Sequence, residues 1–425
     1  MRTAAFLLIL ALLGGEAVAA DPEFYRDVLP VLQRRCQSCH RAGETAPMAF
    51  GTYAEVRPWA TAIREAVKLK KMPPWFADAA STSKFSNDPR LPEAEVAILD
   101  AWVAGGALEG KRPRSLPRPV AQADSFSSDL TLGIPAPFPV PANATIEYQY
   151  FVLRLPFTYD RWVTGVEVRP TDRSVVHHAV LYVRPPSSKW LRGAPADGRP
   201  WAPAANDAGA VAETRSTLED ILAVYTPGTR GVRFPDGMAK KVPAGSDLVL
   251  QVHYTSKKTP ASDQTAVGLM LAADPPKKRI LTLQMGRDDL RIPANTADYQ
   301  ASVSGVLPRD AMLINLTPHM HLRGSAFDFE AFPASGKGAA DLLLRVRPYD
   351  FFWQFTYTLA TPKLLPKGTV LKWTGYFDNS KNNPKNPDPN AEVTWGEQSW
   401  QEMMIGFFDV AVEPNMDKLS FFSRN

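Results

Sequence analysis

Thirty-nine prolines are scattered through the 425 residues, and they limit the fold more than any other feature. A proline inside a helix removes a hydrogen bond and clashes with the turn before it, whereas turns and strand edges tolerate it. From about Asp129 the chain reads as short strands between Pro and Gly turns, the pattern of a β-sandwich. Ile146, Tyr148 and Tyr150 alternate with Glu147 and Gln149, and Val163 to Val168, Val175 to Val183 and Val370 to Phe377 are further strands. The clearest alternation is Ser246 to Thr255, with Leu248, Leu250, Val252 and Tyr254 on one face and Val249, Gln251 and His253 on the other. This length exceeds one ordinary core, and a hydrophobic content of 45% with 22% charged residues describes a folded chain.

The first 128 residues read differently. Arg2, the apolar run Ala4 to Leu13 and the small residues Ala17-Val18-Ala19 form a secretory signal peptide, with an uncleaved anchor as the alternative. No other stretch is long and apolar enough to be a membrane helix. The expected location is periplasmic or otherwise exported. The net charge of +4, with no long basic run, gives no reason to expect nucleic acid.

The two cysteines fall together in Cys36-Gln37-Ser38-Cys39-His40. Two thiols followed by a histidine is the pattern that attaches one covalent haem c, with His40 as proximal iron ligand. A zinc site would want a second cysteine pair, and a redox dithiol a βαβ context. The expected surroundings are helices: Glu23 to Arg35, bent at Pro30; a second opened by the capping box Thr52-Tyr53-Ala54-Glu55 and running to about Lys70; and Glu93 to Ala104, stopped by Gly105-Gly106. Met72, in the stiff Met72-Pro73-Pro74-Trp75 stretch, is the expected sixth iron ligand, and Met48 is its rival. Arg34, Arg35, Arg41, Lys68, Lys70 and Lys71 either steer an acidic redox partner or form an ordinary solvated face. The proline-rich stretch up to Ser127 reads as a semi-rigid linker.

Besides His40, the histidines are His177, His178, His253, His319 and His321. His319 and His321, two apart in Thr317-Pro318-His319-Met320-His321, share a strand face and can hold one metal ion. His177 and His178 are adjacent, so both reach one metal only where the strand twists, bulges or ends. Of Met403 and Met404, only one can face a given side; a thioether beside imidazoles favours copper, because soft sulfur selects Cu(I).

Together these motifs resemble the copper type II, ascorbate-dependent monooxygenases, the family of the peptidylglycine α-hydroxylating and dopamine β-type enzymes. The resemblance runs from about Asp129 to the C-terminus. It implies two copper ions on two β-sandwich domains. One would be held by His177, His178 and His253, the last within Gln251-Val252-His253-Tyr254; the oxygen-binding copper would be held by His319, His321 and Met403. Where the peptide-amidating members place an arginine and a tyrosine for the peptide, this chain has Thr317 and Phe407, which points away from a peptide carboxylate and towards a more apolar pocket. The disulfides of the family are also missing, since no cysteine follows Cys39.

The expected architecture is multidomain: a signal peptide at 1–20, a small all-α cytochrome c domain at 21–110, a linker at 111–127, and two all-β, jelly-roll-like copper domains at 128–280 and 281–425. The expected function is a copper-dependent monooxygenase that hydroxylates a C–H bond of a small organic substrate with O2. An external electron donor would feed the fused haem. Two alternatives stand beside it: a non-catalytic haem/copper electron-transfer or copper-binding protein, and a cytochrome fused to a copper-free surface-binding sandwich.

Overall fold

The computed structural model describes residues 21–115, 127–144, 146, 148–202, 220–229, 231–396 and 398–422. The signal pattern at 1–20 and most of the 111–127 stretch lie outside them. Among the described residues no helix is long and apolar enough to cross a membrane.

A nine-stranded sheet runs through the β-rich part of the chain. In order its path is Leu130–Gly133, Ala266–Leu271, Arg161–Arg169, Met238–Val242, Lys278–Gly286, Met404–Val412, Ala311–Met320 and Tyr357–Leu365, with Val232–Arg233 paired to Arg161–Arg169 off the path. A four-stranded sheet (Gln149–Arg154, Asp247–Tyr254, Val176–Arg184, Asp220–Tyr225) covers its first half. A second (Tyr299–Val306, Val370–Phe377, Gly324–Phe332, Asp341–Val346) covers its other half. Each pair of layers encloses its own core. Val163, Val166 and Leu269 meet Leu181, Leu248 and Leu250 in one, and Leu283, Leu313 and Phe408 meet Phe329, Leu371 and Trp373 in the other. Period-two burial builds both: Leu248, Leu250, Val252 and Tyr254 all enter the first core, as the alternation requires.

The expected fold class, a small all-α cytochrome c domain ahead of two all-β copper domains, is corrected here. The chain is mostly β-sheet, its helices are few and short, and no distinct all-α domain forms. The π-helical turn Phe24–Val28 leads into Leu29–Arg35, with Pro30 in the first turn of the latter. The capping box of Thr52 and Glu55 forms, but Pro58 divides the expected helix into Tyr53–Val56, a 3-10 turn Arg57–Trp59 and Ala60–Lys68. Glu93–Ala104 completes the set. These helices share a small core around Phe24, Leu32, Leu99 and Trp102.

Between the last two helices the chain leaves that core altogether. Pro73 and Pro74 bar a helix, and Trp75 and Ala77 bury themselves in the core of the second sandwich. Residues 76–87 then lie as an extended strap along it. Asp78 N donates to Arg345 O at 2.8 Å and Thr82 N to Leu342 O at 2.9 Å, while Ser86 N reaches Thr358 O at 2.9 Å. Asp341–Val346 and Tyr357–Leu365 are the end strands of the two sheets, so the strap closes the open side of that sandwich and covers two edges at once.

The two β halves are not separate either. Met238–Val242 pairs in parallel with Lys278–Gly286, through Met238 and Lys278 and through Ala239 and Arg279, which makes one sheet of both.

Candidate metal centres

Val176–Arg184 and Asp247–Tyr254 are antiparallel neighbours, and their register shifts between Val176 and His178. His177 is the extra residue of that bulge. This resolves the difficulty of two adjacent histidines on one strand: the bulge turns both rings to one side, where His178 lies opposite His253 in register. One ligand atom from each of His177, His178 and His253 lies within 4.8 Å of the others. The Nδ1 atoms of His177 and His178 are 2.9 Å apart, and the Tyr148 hydroxyl is 3.2 Å from His178 Nε2. Burial pushes His177 and His253 down to about 4 and His178 well below its ordinary value. The rings are therefore neutral at pH 7 and have lone pairs to offer. His177 Nε2 and His253 Nδ1 are buried without a hydrogen-bond partner. Three neutral, convergent imidazoles, two of them with an unpaired nitrogen, fit a soft or borderline metal ion.

The second cluster stands at the end of Ala311–Met320. Alternation sends Met320 into the core and puts His319 and His321 on the opposite face, with ring centroids 5.2 Å apart. The partner strand pairs His319 with Ile405 and Met320 with Met404, and one further step along the ladder brings Met403 across from His321. Met404 is a core residue, while Met403 lines the cavity together with both histidines. Each ring is anchored through Nδ1, His319 to Gln354 Oε1 at 2.6 Å and His321 to the Gln401 carbonyl at 3.3 Å. That leaves both Nε2 atoms for a metal. Burial depresses His319 and pushes His321 down to about 3. This donor set, two anchored imidazoles and a thioether, fits copper.

Glu402 is fully buried beneath the second cluster. Its carboxyl accepts from the backbone N–H groups of His321 at 2.8 Å, Arg323 at 2.6 Å and Met403 at 3.2 Å. It thus ties the two ligand-bearing segments together. Burial raises it to about 7 against those hydrogen bonds. Arg323 extends the clamp to Asn379 Oδ1 at 2.8 Å, which gives the polar 378–390 loop a structural task that its sequence does not announce.

One connection, residues 347–356, touches both clusters. The Tyr349 hydroxyl bridges the Met320 amide and carbonyl at 2.9 and 2.8 Å. The Phe351 ring lies 6.0 Å from His177 and 6.1 Å from His321 between centroids, which keeps those two imidazoles within about 12 Å of each other. Gln354 holds His319, and its Nε2 donates to Phe351 O at 3.1 Å. Sequence reasoning missed Tyr349, Phe351 and Gln354, because a loop of aromatic residues without a period carries no signal.

A single cavity of about 1700 Å³ joins these sites to the N-terminal segment. His178, His319, His321 and Met403 line it, and so do Cys36, Cys39, His40, Met48 and Met72. His40 Nδ1 lies 3.2 Å from the Met48 carbonyl, and the ring stacks on Phe50 at 4.3 Å. With Nδ1 donating, Nε2 is left for a ligand. Burial pushes the Cys36 thiol up to about 12 and raises Cys39, so neither has the lowered pKa of an exchanging dithiol. Two thiols and a free imidazole nitrogen on a large, mostly apolar cavity fit a covalent haem. The Cys36–His40 loop is docked on the first sandwich. A Cβ on Gly228, at φ +83°, would stand 2.6 Å from Cys39 Sγ, and Arg173 reaches Glu44 at 3.7 Å. Of the basic residues nearby, Arg34 and Arg35 bind Glu95 at 3.0 and 2.7 Å and Lys68 binds Asp100 at 3.0 Å.

No family model and no curated protein matches the chain. Among solved structures it is similar to the major capsid protein P2 from bacteriophage PM2, with 10% identity, a TM-score of 0.30, and 67% of this chain and 98% of that one covered. It is also similar to the STIV MCP, with 8% identity, a TM-score of 0.27 and coverages of 67% and 96%. The VP2 subviral particle of infectious bursal disease virus comes next at 8% identity and a TM-score of 0.21, covering 73% and 77%. Likenesses at these TM-scores carry no argument about this chain.

Proposed function

We propose that the chain is an exported monooxygenase dependent on copper and haem, which hydroxylates a C–H bond of a small organic molecule with dioxygen. The observation that carries this reading is the bulge at His177. It brings His177, His178 and His253 together, with His178 on the cavity that His319, His321 and Met403 also line. These are the two ligand sets that the resemblance to the copper type II monooxygenases names, and a set that differs between the centres suits a division of labour better than a simple electron relay.

Bound copper would supply one-electron redox chemistry at the first set and dioxygen activation at the second. Haem on Cys36 and Cys39 would supply stored electrons from an external donor. The chain's own residues do the rest. Gln354 and the Gln401 carbonyl fix the imidazoles, Glu402 fixes the backbone that carries them, and the Met403 thioether favours the reduced, soft state of the metal. Met72 and Met48 both line the cavity and either would offer a thioether to a haem held by Cys36, Cys39 and His40; Met72, 41% exposed, is the one we favour, because the Met48 backbone is tied through its carbonyl to His40 Nδ1.

Elemental analysis of the purified, copper-loaded protein is expected to give two coppers and one haem iron per chain. His253→Ala is expected to bind one copper fewer. After the haem is reduced, its reoxidation in oxygen should be slower in His319→Ala than in the parent. Equal rates would remove the oxygen-reducing role of that site, and absence of stoichiometric copper would remove the whole reading.

A further inference from the structure

With His319, His321 and Met403 taken as the reacting end of the cavity, a premise that rests on the proposed function, we propose that this end takes a neutral, ring-bearing organic molecule. Aromatic faces and uncharged amides would hold it, with no ion pair involved.

The first ground is the state of the charges. Every charged side chain among the described residues lining the cavity already has a protein partner. Arg34 and Arg35 are on Glu95 at 3.0 and 2.7 Å, Asp88 is on Arg90 at 2.5 Å, Lys240 is on Asp409 at 2.9 Å, and Lys418 is on Asp220 at 3.0 Å. Arg233 donates to the Met270 thioether at 3.1 Å. A charged ligand must either break one of these arrangements or leave its own charge uncompensated away from water, and both are costly.

The second ground is the lining at the His319 end, where Trp353, Phe355, Trp395 and Phe407 face the cavity with the amides of Gln398 and Gln401. The Phe407 ring centroid is 6.4 Å from that of His319. Across the ladder from Phe407 stands Thr317, whose hydroxyl donates to Thr356 Oγ1 at 2.9 Å and so has no proton left for a carboxylate. A neutral ring gains apolar burial and offset or edge-on aromatic contacts here, and its one or two polar atoms can meet the glutamine amides.

The test uses the full chain, stripped of copper by a chelator, and three probes that share a ring and a chain length: phenylacetamide, phenylacetate and 2-phenylethylammonium. Affinities are read by calorimetry and by tryptophan fluorescence. The amide is expected to bind at least tenfold more tightly than either ion. Phe407→Ala, or the milder Phe407→Leu, should weaken the amide at least fivefold. An ion that binds as tightly as the amide overturns the proposal, as does absence of amide binding up to its solubility. Unchanged amide affinity in a folded Phe407 variant overturns the placement. Copper stoichiometry on the same preparations separates this from the reading it rests on. Protein that takes no copper but ranks the probes as stated loses only the copper reading, and protein that takes two coppers but prefers an ion loses only this inference.

Discussion

Lys240→Met tests what holds the two β halves in register. Lys240 is 2% exposed and Asp409 is 5% exposed. They sit on opposite sides of the join, Lys240 on a first-half strand and Asp409 on Met404–Val412 of the second. The ammonium lies 2.9 and 3.0 Å from the two carboxylate oxygens of Asp409, 2.8 Å from Thr282 Oγ1 and 2.5 Å from the Ile221 carbonyl. Removing it strands a carboxylate that keeps two donors, Thr282 Oγ1 at 2.6 Å and Asn315 Nδ2 at 2.8 Å. Breaking a buried pair by deleting one partner costs about 3–5 kcal/mol, because the surviving charge is uncompensated. The two remaining hydrogen bonds place this case near the lower end, about 3 kcal/mol. Lys240→Met/Asp409→Leu removes both charges and should recover to within about 1 kcal/mol of the parent. The assay is urea unfolding followed by tryptophan fluorescence and far-UV circular dichroism, compared only where the two transitions coincide. A single variant within about 1 kcal/mol of the parent, or a double variant that loses the sum of both singles, would refute the reasoning.

Three further outcomes are expected. Gly228→Ala places a Cβ 2.6 Å from Cys39 Sγ at a φ of +83°, costs about 1–2 kcal/mol of backbone strain and undocks the Cys36–His40 loop, which hydrogen exchange of residues 36–50 should report as faster opening. Gln354→Leu frees the His319 ring and should weaken copper at that centre about 10–100-fold while leaving the other centre unchanged, read by titration against a competing chelator. The strap should loosen in acid. Burial acts to raise Asp341, but hydrogen bonds from Lys363 and Thr82 win and hold it below the usual carboxylate range. A depressed carboxyl stabilises the fold above its unfolded pKa of about 3.8 and loses that contribution as pH falls through the lower folded value. Cleavage of residues 76–87 by an acid-active protease should therefore rise below about pH 3.8, and that rise should be absent from Asp341→Asn.

Local signals are readable in this sequence and distant ones are not. Glu93–Ala104 forms between the limits its apolar stripe and the Gly105-Gly106 stop require, and Val370–Phe377 does the same for a strand. The Thr52–Glu55 capping box closes as its spacing dictates, since both partners lie within one turn. The all-α first domain does not form, for a reason that also sits in the sequence. Met72-Pro73-Pro74 reads as a stiff loop within a helical domain, whereas it sends Trp75 and the next dozen residues onto strands more than 250 positions away. Edge covering depends on which strands end a sheet, and no window along the chain reveals that. Residue type and spacing suffice to name the ligand candidates. They do not show how His177 and His178 share a side, because a bulge is a property of the pair of strands.

The 347–356 connection ties the two clusters to each other. Tyr349 fixes the backbone between His319 and His321, Gln354 fixes the ring of His319, and Phe351, 4% exposed, packs near both His177 and His321. Asp350 extends the same loop to Lys385 at 2.7 Å, so the 378–390 segment, which also holds Arg323 through Asn379, braces it from behind. A shift of Phe351 would therefore be felt at His177 and His321 together, and a shift of Gln354 at His319. Two ligand clusters on separate sandwiches would need such a shared element to keep a fixed separation, because the parallel join between the halves supplies only two residue pairs. The Lys240–Asp409 pair and the 347–356 loop fix the join in two ways: the first anchors the strands, and the second anchors the rings they carry.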